Sequence, residues 1–411
     1  MAYREGVTEE TPKALREFIL SLGSALHRYG APAHRLEDTM SHVCQRLGME
    51  VRFFSTPTSI FVSFGAPSDL NTSLIRVEPG SMNLECLSRL DALANEVIAG
   101  SKTPREGALC VEQILSAPPR YGSFALIACH MLAAAGGARL FGGGIKEILV
   151  AGVSNLAIGS LAIGATRFKS ISRVLEAFSA VIASACAVLA AAWFGPLSTK
   201  IATLAGIIVL LPGLTLTVAM TELATRNLNA GTSRLMGAIV VFLELGFGVA
   251  LGGRLAGLFP PMVGAAALNT LPHWTEGLAL VVMAMALSVL VRSRPEDWGW
   301  ISVTGALAYF AARAGALWLG PELGAFVGSL VLGATGNILA RLRNRPSLIT
   351  TVPGILLLVP GSFGFRSLES LMDRNVFAGI DTGFSMMMIV VALVAGLLFS
   401  NALVPPRKIV L

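Results

Sequence analysis

From Tyr121 onward the chain is a succession of apolar runs, and nothing else in the sequence restricts its fold so strongly. About 20 apolar residues cross the hydrocarbon core of a bilayer as a helix, the form that satisfies its own backbone groups where water is absent. Ten such runs are readable, at 121–141, 145–165, 175–195, 201–221, 235–258, 276–292, 298–319, 323–341, 348–366 and 378–404. Charged residues make up 14% of the chain, against roughly 25% in soluble domains. The mean hydropathy of +0.70 agrees. The 43 glycines suit helices that approach closely in lipid. A net charge of +6 does not point to nucleic acid, because the positive charge lies mostly in short loops beside apolar runs.

Those loops orient the chain by the excess of Lys and Arg on the cytoplasmic side. With residues 1–118 placed inside, the inner loops hold Arg167, Lys169, Arg173, Arg226, Arg234, Arg292, Arg294, Arg341, Arg343, Arg345, Arg407 and Lys408. The outer side holds Lys146, Lys200, Arg366 and Arg374, with Arg139 near a span end. Both termini are therefore expected in the cytoplasm, at the inner (plasma) membrane. The loop 259–275 has no Lys or Arg and is expected outside. Lys146 and Glu147 read as a local interfacial pair.

Residues 1–118 contain frequent charges and no spanning run. Leu15, Phe18, Ile19, Leu22 and Leu26 recur at helical spacing until Gly30. Leu36, Met40, Val43 and Leu47 mark a second helix. Strands are expected at 49–54, 59–64 and 72–77, then helices at 83–99 and 104–115, closed by Pro118-Pro119. The organisation expected is a cytosolic α+β domain at 1–118 and five-helix membrane modules at 119–260 and 261–411. Cys44, Cys86, Cys110, Cys129 and Cys186 form no CxxC pair. His27, His34 and His42 are too far apart for a one-turn metal pair. No metal or cofactor is expected. The segment from His27 to Glu37 is dense in polar side chains around a tight turn, which makes it a candidate site or a solvated corner.

Shifted by 148 residues, the chain matches itself at 15 of the 55 ungapped positions from 177 to 231. Leu210, Pro212 and Gly213 fall on Leu358, Pro360 and Gly361; Leu223, Arg226 and Asn227 fall on Leu371, Arg374 and Asn375. Each half holds five runs, and an odd number inverts the second half. Inverted repeats are a recurrent plan of secondary transporters, with the site at the midplane near interrupted helices. Pro212-Gly213 interrupts the fourth run and Pro360-Gly361 the ninth, with Pro353-Gly354 ahead of it.

Polar groups follow the breaks. Thr215 and Thr217 offer hydroxyls; Glu222, Arg226 and Asn227 follow in the first half, and Arg366, Arg374 and Asn375 in the second. Together with Pro212, Gly213, Pro360 and Gly361 they form the expected substrate site, with donors for a carboxylate and acceptors for an ammonium. Ionisable groups inside a membrane are costly and default to a functional reading. Glu222 and Glu244 are the candidates for carrying a proton, and Arg313 is a further charge inside a run. Asn155 and Asn337 read as polar glue between helices.

Several ordered motifs resemble one family. They are Arg28-Tyr29-Gly30-Ala31-Pro32-Ala33-His34-Arg35-Leu36-Glu37 and Thr56-Pro57-Thr58-Ser59-Ile60-Phe61-Val62-Ser63-Phe64 in the front domain. Leu211-Pro212-Gly213-Leu214-Thr215-Leu216-Thr217, Thr221-Glu222-Leu223-Ala224, Gly231 and Arg234 follow in the first module. The sequence is similar to the threonine/serine exporter family, and its second half, with Leu358-Val359-Pro360-Gly361, looks like that family's second module. The resemblance implies ten spans, a cytosolic front domain, and export of threonine or serine driven by the proton motive force, without catalysis. Relatives split into two chains resemble dicarboxylate carriers, so a succinate-like substrate is the alternative. Ser362-Phe363-Gly364-Phe365-Arg366 keeps the second break without the threonines of the first. A reading of another class makes the front domain a membrane-anchored hydrolase or sensor; it lacks a G-x-S-x-G elbow. No phosphate-binding loop suggests ATP drive. The expected partners are a small polar metabolite, protons and the bilayer, and a homo-oligomer is compatible with the sequence.

Overall fold

The computed structural model describes residues 10–66, 68–78, 80–258, 271–358 and 361–406. The front unit comprises α1 Glu10–Arg28, α2 Ala33–Arg46, β1 Val51–Thr56, β2 Ser59–Phe64, β3 Asn71–Arg76, α3 Leu84–Ile98 and α4 Pro104–Ser116. α1 forms because its apolar residues fall on one stripe, and Phe18, Ile19, Leu22 and Leu26 on that stripe are fully buried. Gly30 turns the chain out of α1 at φ 94°, where a Cβ would meet Met82 Cε at 3.0 Å. The strands pair antiparallel in the order β1-β2-β3, with Val51 opposite Phe64 and Ser59 opposite Arg76. Alternation on β2 sends Ile60, Val62 and Phe64 into the core. A reciprocal cap between Thr103 and Glu106 starts α4.

The remaining helices are α5 Ser123–Leu140, α6 Ile145–Arg167, α7 Lys169–Ser172, α8 Leu175–Phe194, α9 Thr199–Gly206, α10 Gly213–Ala224, α11 Leu228–Ala256 and α12 Trp274–Leu290. They are followed by α13 Pro295–Leu319, α14 Pro321–Arg343, α15 Leu348–Leu358, α16 Gly361–Met372 and α17 Val376–Leu403. Among the described residues, seven stretches are long and apolar enough to cross a bilayer: α5, α6, α8, α11, α14, α17 and Leu348–Met372. α10 and α12 are apolar but shorter. The fourth apolar run of the sequence is two helices, α9 and α10, separated by residues 207–212. Pro353-Gly354 lies within α15, which continues to Leu358, so this pair does not break the helix. Pro360 and the proline-rich part of the 259–275 loop lie outside the described residues.

α10 begins at 213 and ends at 224, and α16 begins at 361 and ends at 372, each 148 positions later. Arg226 and Arg374, also 148 apart, take left-handed backbone at φ 65° and 61°. Each is followed by an asparagine and then a long helix, α11 or α17.

Close packing rests on small residues. Gly248 of α11 abuts Ala177 and Ala180 of α8, and one turn on Gly252 abuts Val181. Gly396 of α17 meets Phe326 and Ser329 of α14 in the same manner. Both pairs therefore run parallel. The front unit is not a separate body: Val291, Leu348 and Val352 belong to its core cluster, and Leu214 packs on it. Backbone N–H groups of Leu84 and Glu85 donate to the carbonyls of Val291 and Arg292 at 3.0 and 3.1 Å.

At the helix ends away from the front unit, Glu276 receives Arg313 at 2.6 Å and Arg139 at 3.4 Å. Arg313 is thus an ion-pair partner rather than a lone charge in an apolar run. Lys200 in the first turn of α9 reaches Glu369 at 3.4 Å and Asp373 at 3.1 Å, on and just beyond α16. Lys146 and Glu147 do not pair with each other. Lys146 donates to the Phe194 carbonyl at 3.0 Å, while buried Glu147 accepts from the N–H groups of Gly144 and Ser198 at 2.9 and 2.7 Å. A carboxylate at a helix start finds free N–H donors, and these outcompete a lysine that reaches solvent.

A Cβ at Gly248 would lie 2.3 Å from the Ala177 carbonyl oxygen, whereas Gly237 on the same helix has open space around it. Gly248→Ala is expected to destabilise the protein by about 1–3 kcal/mol through overpacking. Gly237→Ala is expected to be neutral or slightly stabilising. Thermal unfolding of the two variants in detergent checks the contrast.

Candidate functional site

The break between α9 and α10 frees backbone groups that hydrocarbon does not hydrate. Asn155 of α6 meets part of that demand. Its side-chain amide donates to the Gly206 carbonyl at 2.8 Å and to the Ala151 carbonyl at 3.0 Å. Gly361, at the start of α16, lies against this break. A Cβ there would be 3.0 Å from Leu211 Cβ and 3.3 Å from the Gly213 nitrogen. The starts of α10 and α16 thus abut, and glycine at 361 permits the approach.

α10 runs from the break toward the front unit. Thr217, Thr221 and Thr225 are four residues apart on one face. Their hydroxyls donate to the carbonyls of Gly213, Thr217 and Thr221 at 3.0, 2.7 and 2.9 Å. Each hydroxyl oxygen keeps lone pairs directed away from its helix. These threonines line a cavity of about 730 Å³ enclosed by α2, α10, α14, α15 and α17. α2 contributes His34, Arg35, Asp38 and His42, which share one helical face. Ser347, Thr351, Asn337 and Asn401 supply hydroxyls and amides on the opposite side. The Asn337 amide is anchored to Asn401 Oδ1 at 2.9 Å and to the Val404 carbonyl at 2.8 Å, joining α14 to the end of α17.

Arg35 is the cation best placed in this cavity. Its only side-chain hydrogen bond among the described residues is a long one, Nη1 to Ser347 Oγ at 3.4 Å. No carboxylate lies within ion-pair distance of it among the described residues. A guanidinium with unused donors beside hydroxyls and amides suits a small solute bearing a carboxylate.

Glu222 fixes the geometry of this site. It is fully buried on α10. Oε1 accepts the N–H of Ala33, the first residue of α2, at 2.9 Å. Arg234 Nε of α11 reaches both carboxylate oxygens at 3.0 Å. The carboxylate meets the positive end of α2, so dipole and hydrogen bond act together. Within the front domain, Glu37 accepts from the Ser55 N–H at 2.6 Å and the Ser55 hydroxyl at 2.9 Å, tying α2 to β1. Burial raises the Glu37 carboxyl above its usual range, and the Ser55 bonds oppose the shift. His27 Nε2 lies 2.7 Å from the Thr56 carbonyl, and burial lowers its pKa.

The other sequence-selected residues are dispersed. Pro212 and Gly213 sit at the break, with Thr215 half-buried one turn later. Thr217 is the selected residue that lines the cavity. Arg226 and Arg374 are exposed and form left-handed corners between helices. Asn227 donates to the Thr225 carbonyl, and Asn375 caps α17 by accepting from the Ala378 N–H at 3.3 Å. The repeated Arg-Asn pair thus has a structural account as corner chemistry. Arg366 is exposed, with its guanidinium 5.7 Å from the centre of the Phe141 ring. Glu244 is half-buried on α11 and interacts with Glu176 of α8 by Coulomb repulsion. Arg35 lies in the polar segment from His27 to Glu37 and Thr221 in the Thr221-Glu222-Leu223-Ala224 motif, whereas Ser347 and Asn401 carry no signal in the sequence. The available signals were the polar density between His27 and Glu37 and the four-residue threonine spacing.

Burial and the neighbouring Arg35 and Arg234 lower the His34 pKa from 6.5 to about 4, and its Nδ1 has no partner among the described residues. A histidine with a depressed folded-state pKa contributes stability above the unfolded value, and that contribution is lost as pH falls toward the folded value. The thermal stability of wild type relative to His34→Gln is therefore expected to decline between pH 6.5 and about 4. A difference that stays constant across this window contradicts the buried neutral imidazole.

A family model described as a threonine/serine exporter matches residues 17–256, and a second threonine/serine exporter model matches residues 276–403. Pheromone-regulated membrane protein 10 of Eremothecium gossypii is 27% identical over 378 residues, covering 87% of this chain and 50% of the relative. The protein of the same name in Saccharomyces cerevisiae is 26% identical over 421 residues, covering 95% of this chain and 54% of the relative. An uncharacterized protein of Schizosaccharomyces pombe is 24% identical over 383 residues, 89% of this chain and 45% of its own length. The chain spans about half the length of these curated relatives. No solved structure matches.

Proposed function

Because the chain belongs to the threonine/serine exporter family, we propose that it is a secondary active exporter of small polar metabolites, with threonine or serine as the leading substrates and the proton motive force as the drive. The observation that supports this most is the polar cavity shared by α2 of the front domain and the half-helices beside the break. In this reading ten segments cross the membrane, α9–α10 and α15–α16 each counting as one interrupted span. The two five-span modules are inverted with respect to each other, and the front domain and both termini are cytoplasmic. The 148-residue offset between α10 and α16 supports the duplication.

The substrate enters from the cytoplasmic side between α2 and α10. Arg35 holds its carboxylate, Asp38 receives its ammonium, and the Thr217–Thr221 face takes its hydroxyl. Glu222 is the proton-coupling residue. A proton on its carboxylate weakens its attraction for both the Ala33 N–H and Arg234. That loosens the front domain from α10 and lets the cavity change access. Glu244 is the second carboxylate available for proton exchange. The ion pairs of Lys200 with Glu369 and Asp373 join the far ends of the two spans that contain α10 and α15. A dicarboxylate such as succinate is the alternative substrate, favoured by Arg35 and Arg46 in the cavity wall. A hydrolase or sensor acting through the front domain is the reading of another class.

Vesicles loaded with labelled threonine or serine are expected to release it faster when they contain the protein and an opposing proton gradient. Absence of protein-dependent flux for every amino acid and dicarboxylate tested removes the carrier reading. Arg35→Gln is expected to reduce flux about tenfold or more, the loss of one charge-assisted hydrogen bond. Glu222→Gln is expected to impair gradient-driven flux more than Lys146→Gln does, while substrate exchange without a gradient survives. Equal effects of these two substitutions remove Glu222 from the coupling role.

A further inference from the structure

A second cavity, of about 540 Å³, opens where the front domain joins the membrane helices. Its wall comes from the end of α1, the first turns of α3, the 115–120 linker and the corner after α12. Arg89, Arg120 and Arg292 face it, together with one carboxylate, Glu85. Arg120 already binds Glu85 through two nitrogens, one at 2.6 Å. This pairing holds the Glu85 carboxyl below the usual range and uses up the only negative charge of the wall. Arg89 and Arg292 have no ion-pair partner among the described residues. Arg292 ends α12 in left-handed backbone at φ 54°, its N–H on the Val289 carbonyl and the Ser293 N–H on the Ser288 carbonyl. Its own carbonyl accepts the Glu85 N–H at 3.1 Å, which ties this corner to α3. Nearby, Arg294 leaves its buried Nε without a hydrogen-bond partner among the described residues.

The height of the cavity relative to the bilayer can be read from its neighbours. Tyr121 follows Arg120 directly, stacks on Trp298 with ring centres 6.2 Å apart, and donates its hydroxyl to the Ser293 carbonyl. α5 begins at Ser123 and α12 ends at Leu290 on the same side. Paired Tyr and Trp at helix ends mark the headgroup layer of a membrane. Leu115, Ala117, Pro118 and Pro119 give one side of the wall an apolar surface. The arginines therefore sit where phosphate groups of the lipid leaflet lie, beside a wall able to cover the lipid's apolar portion.

We propose that Arg89 and Arg292, with Arg120 beside them, form a binding site for the phosphate of an anionic phospholipid headgroup, at the joint between the front domain and α5. Guanidinium pairs bind phosphate oxygens through paired hydrogen bonds and retain their charge at every physiological pH. A bound headgroup bridges α3, the linker and the α12–α13 corner, and so fastens the front domain to the membrane surface. This role stands whether or not the chain is a carrier.

The test uses the full chain in mild detergent, with native mass spectrometry counting retained lipid. Wild type is expected to retain phosphatidylglycerol about tenfold better than the double variant Arg89→Gln, Arg292→Gln, and Arg52→Gln on β1 is expected to behave as wild type. Equal retention by wild type and the double variant overturns the site. Displacement of the lipid by an equal concentration of inorganic phosphate assigns the arginines to a soluble anion and overturns the lipid. A photoreactive phosphatidylglycerol labelled in its headgroup gives a second readout on the unaltered protein, independent of how the variants fold. Its crosslinks are expected within residues 83–89 or 115–120, and labelling confined to other segments overturns the proposal.

Discussion

One buried carboxylate joins the front unit to the apolar helices of this chain. Glu222 lies at the end of a half-helix and accepts the first N–H of α2 while pairing with Arg234. A carboxylate without such partners is expensive to hold out of water, so the contact needs all three participants in place. With it in place, α2 lies across the mouth formed by α10, α15 and α17. The polar face carrying Arg35 and Asp38 then lines the cavity, with Asp38 at its exposed edge. The position of the cavity, and the front domain's share in it, follow from this one arrangement.

The interruption above Glu222 obeys the same rule for uncharged groups. A helix broken inside an apolar surround must hand its freed carbonyls to another donor. Asn155 supplies one, from a helix 51 residues earlier in the chain. Gly361 at the start of α16 then allows that helix to approach the break without a side chain between them. The parallel pairs α8–α11 and α14–α17 complete the frame through glycine contacts on backbone, where dispersion and shape take the place of the hydrophobic effect.

Both ends of the helices carry ion pairs, and on the front-domain side these join Arg120 to Glu85, Arg234 to Glu222, and Arg345 to Glu296 and Asp297. Away from the front domain, Arg139, Arg313 and Lys200 are matched by Glu276, Glu369 and Asp373. On the front-domain side, Arg35, Arg89 and Arg292 lack a carboxylate within ion-pair distance among the described residues. Unmatched arginines at the mouth of one cavity and in the wall of another are the basis on which anionic ligands are proposed for both.

The sequence by itself determined the elements. The stripe from Leu15 to Leu26, the alternation from Ser59 to Phe64 and the long apolar runs are each visible within a few turns, because each reflects how successive side chains partition between water and an apolar phase. The break at Pro212-Gly213 was legible for the same reason, since proline and glycine act on their own backbone. The repeated Arg-Asn pairs were visible too, but their role as helix corners required backbone angles that no spacing rule supplies. Tertiary structure alone decided which polar groups meet. Glu222 and Ala33 are 189 positions apart, Arg35 and Ser347 are 312 apart, and no periodicity links such residues. Hydrogen bonds and ion pairs act over a few ångströms of space, so their partners appear only once the helices are packed.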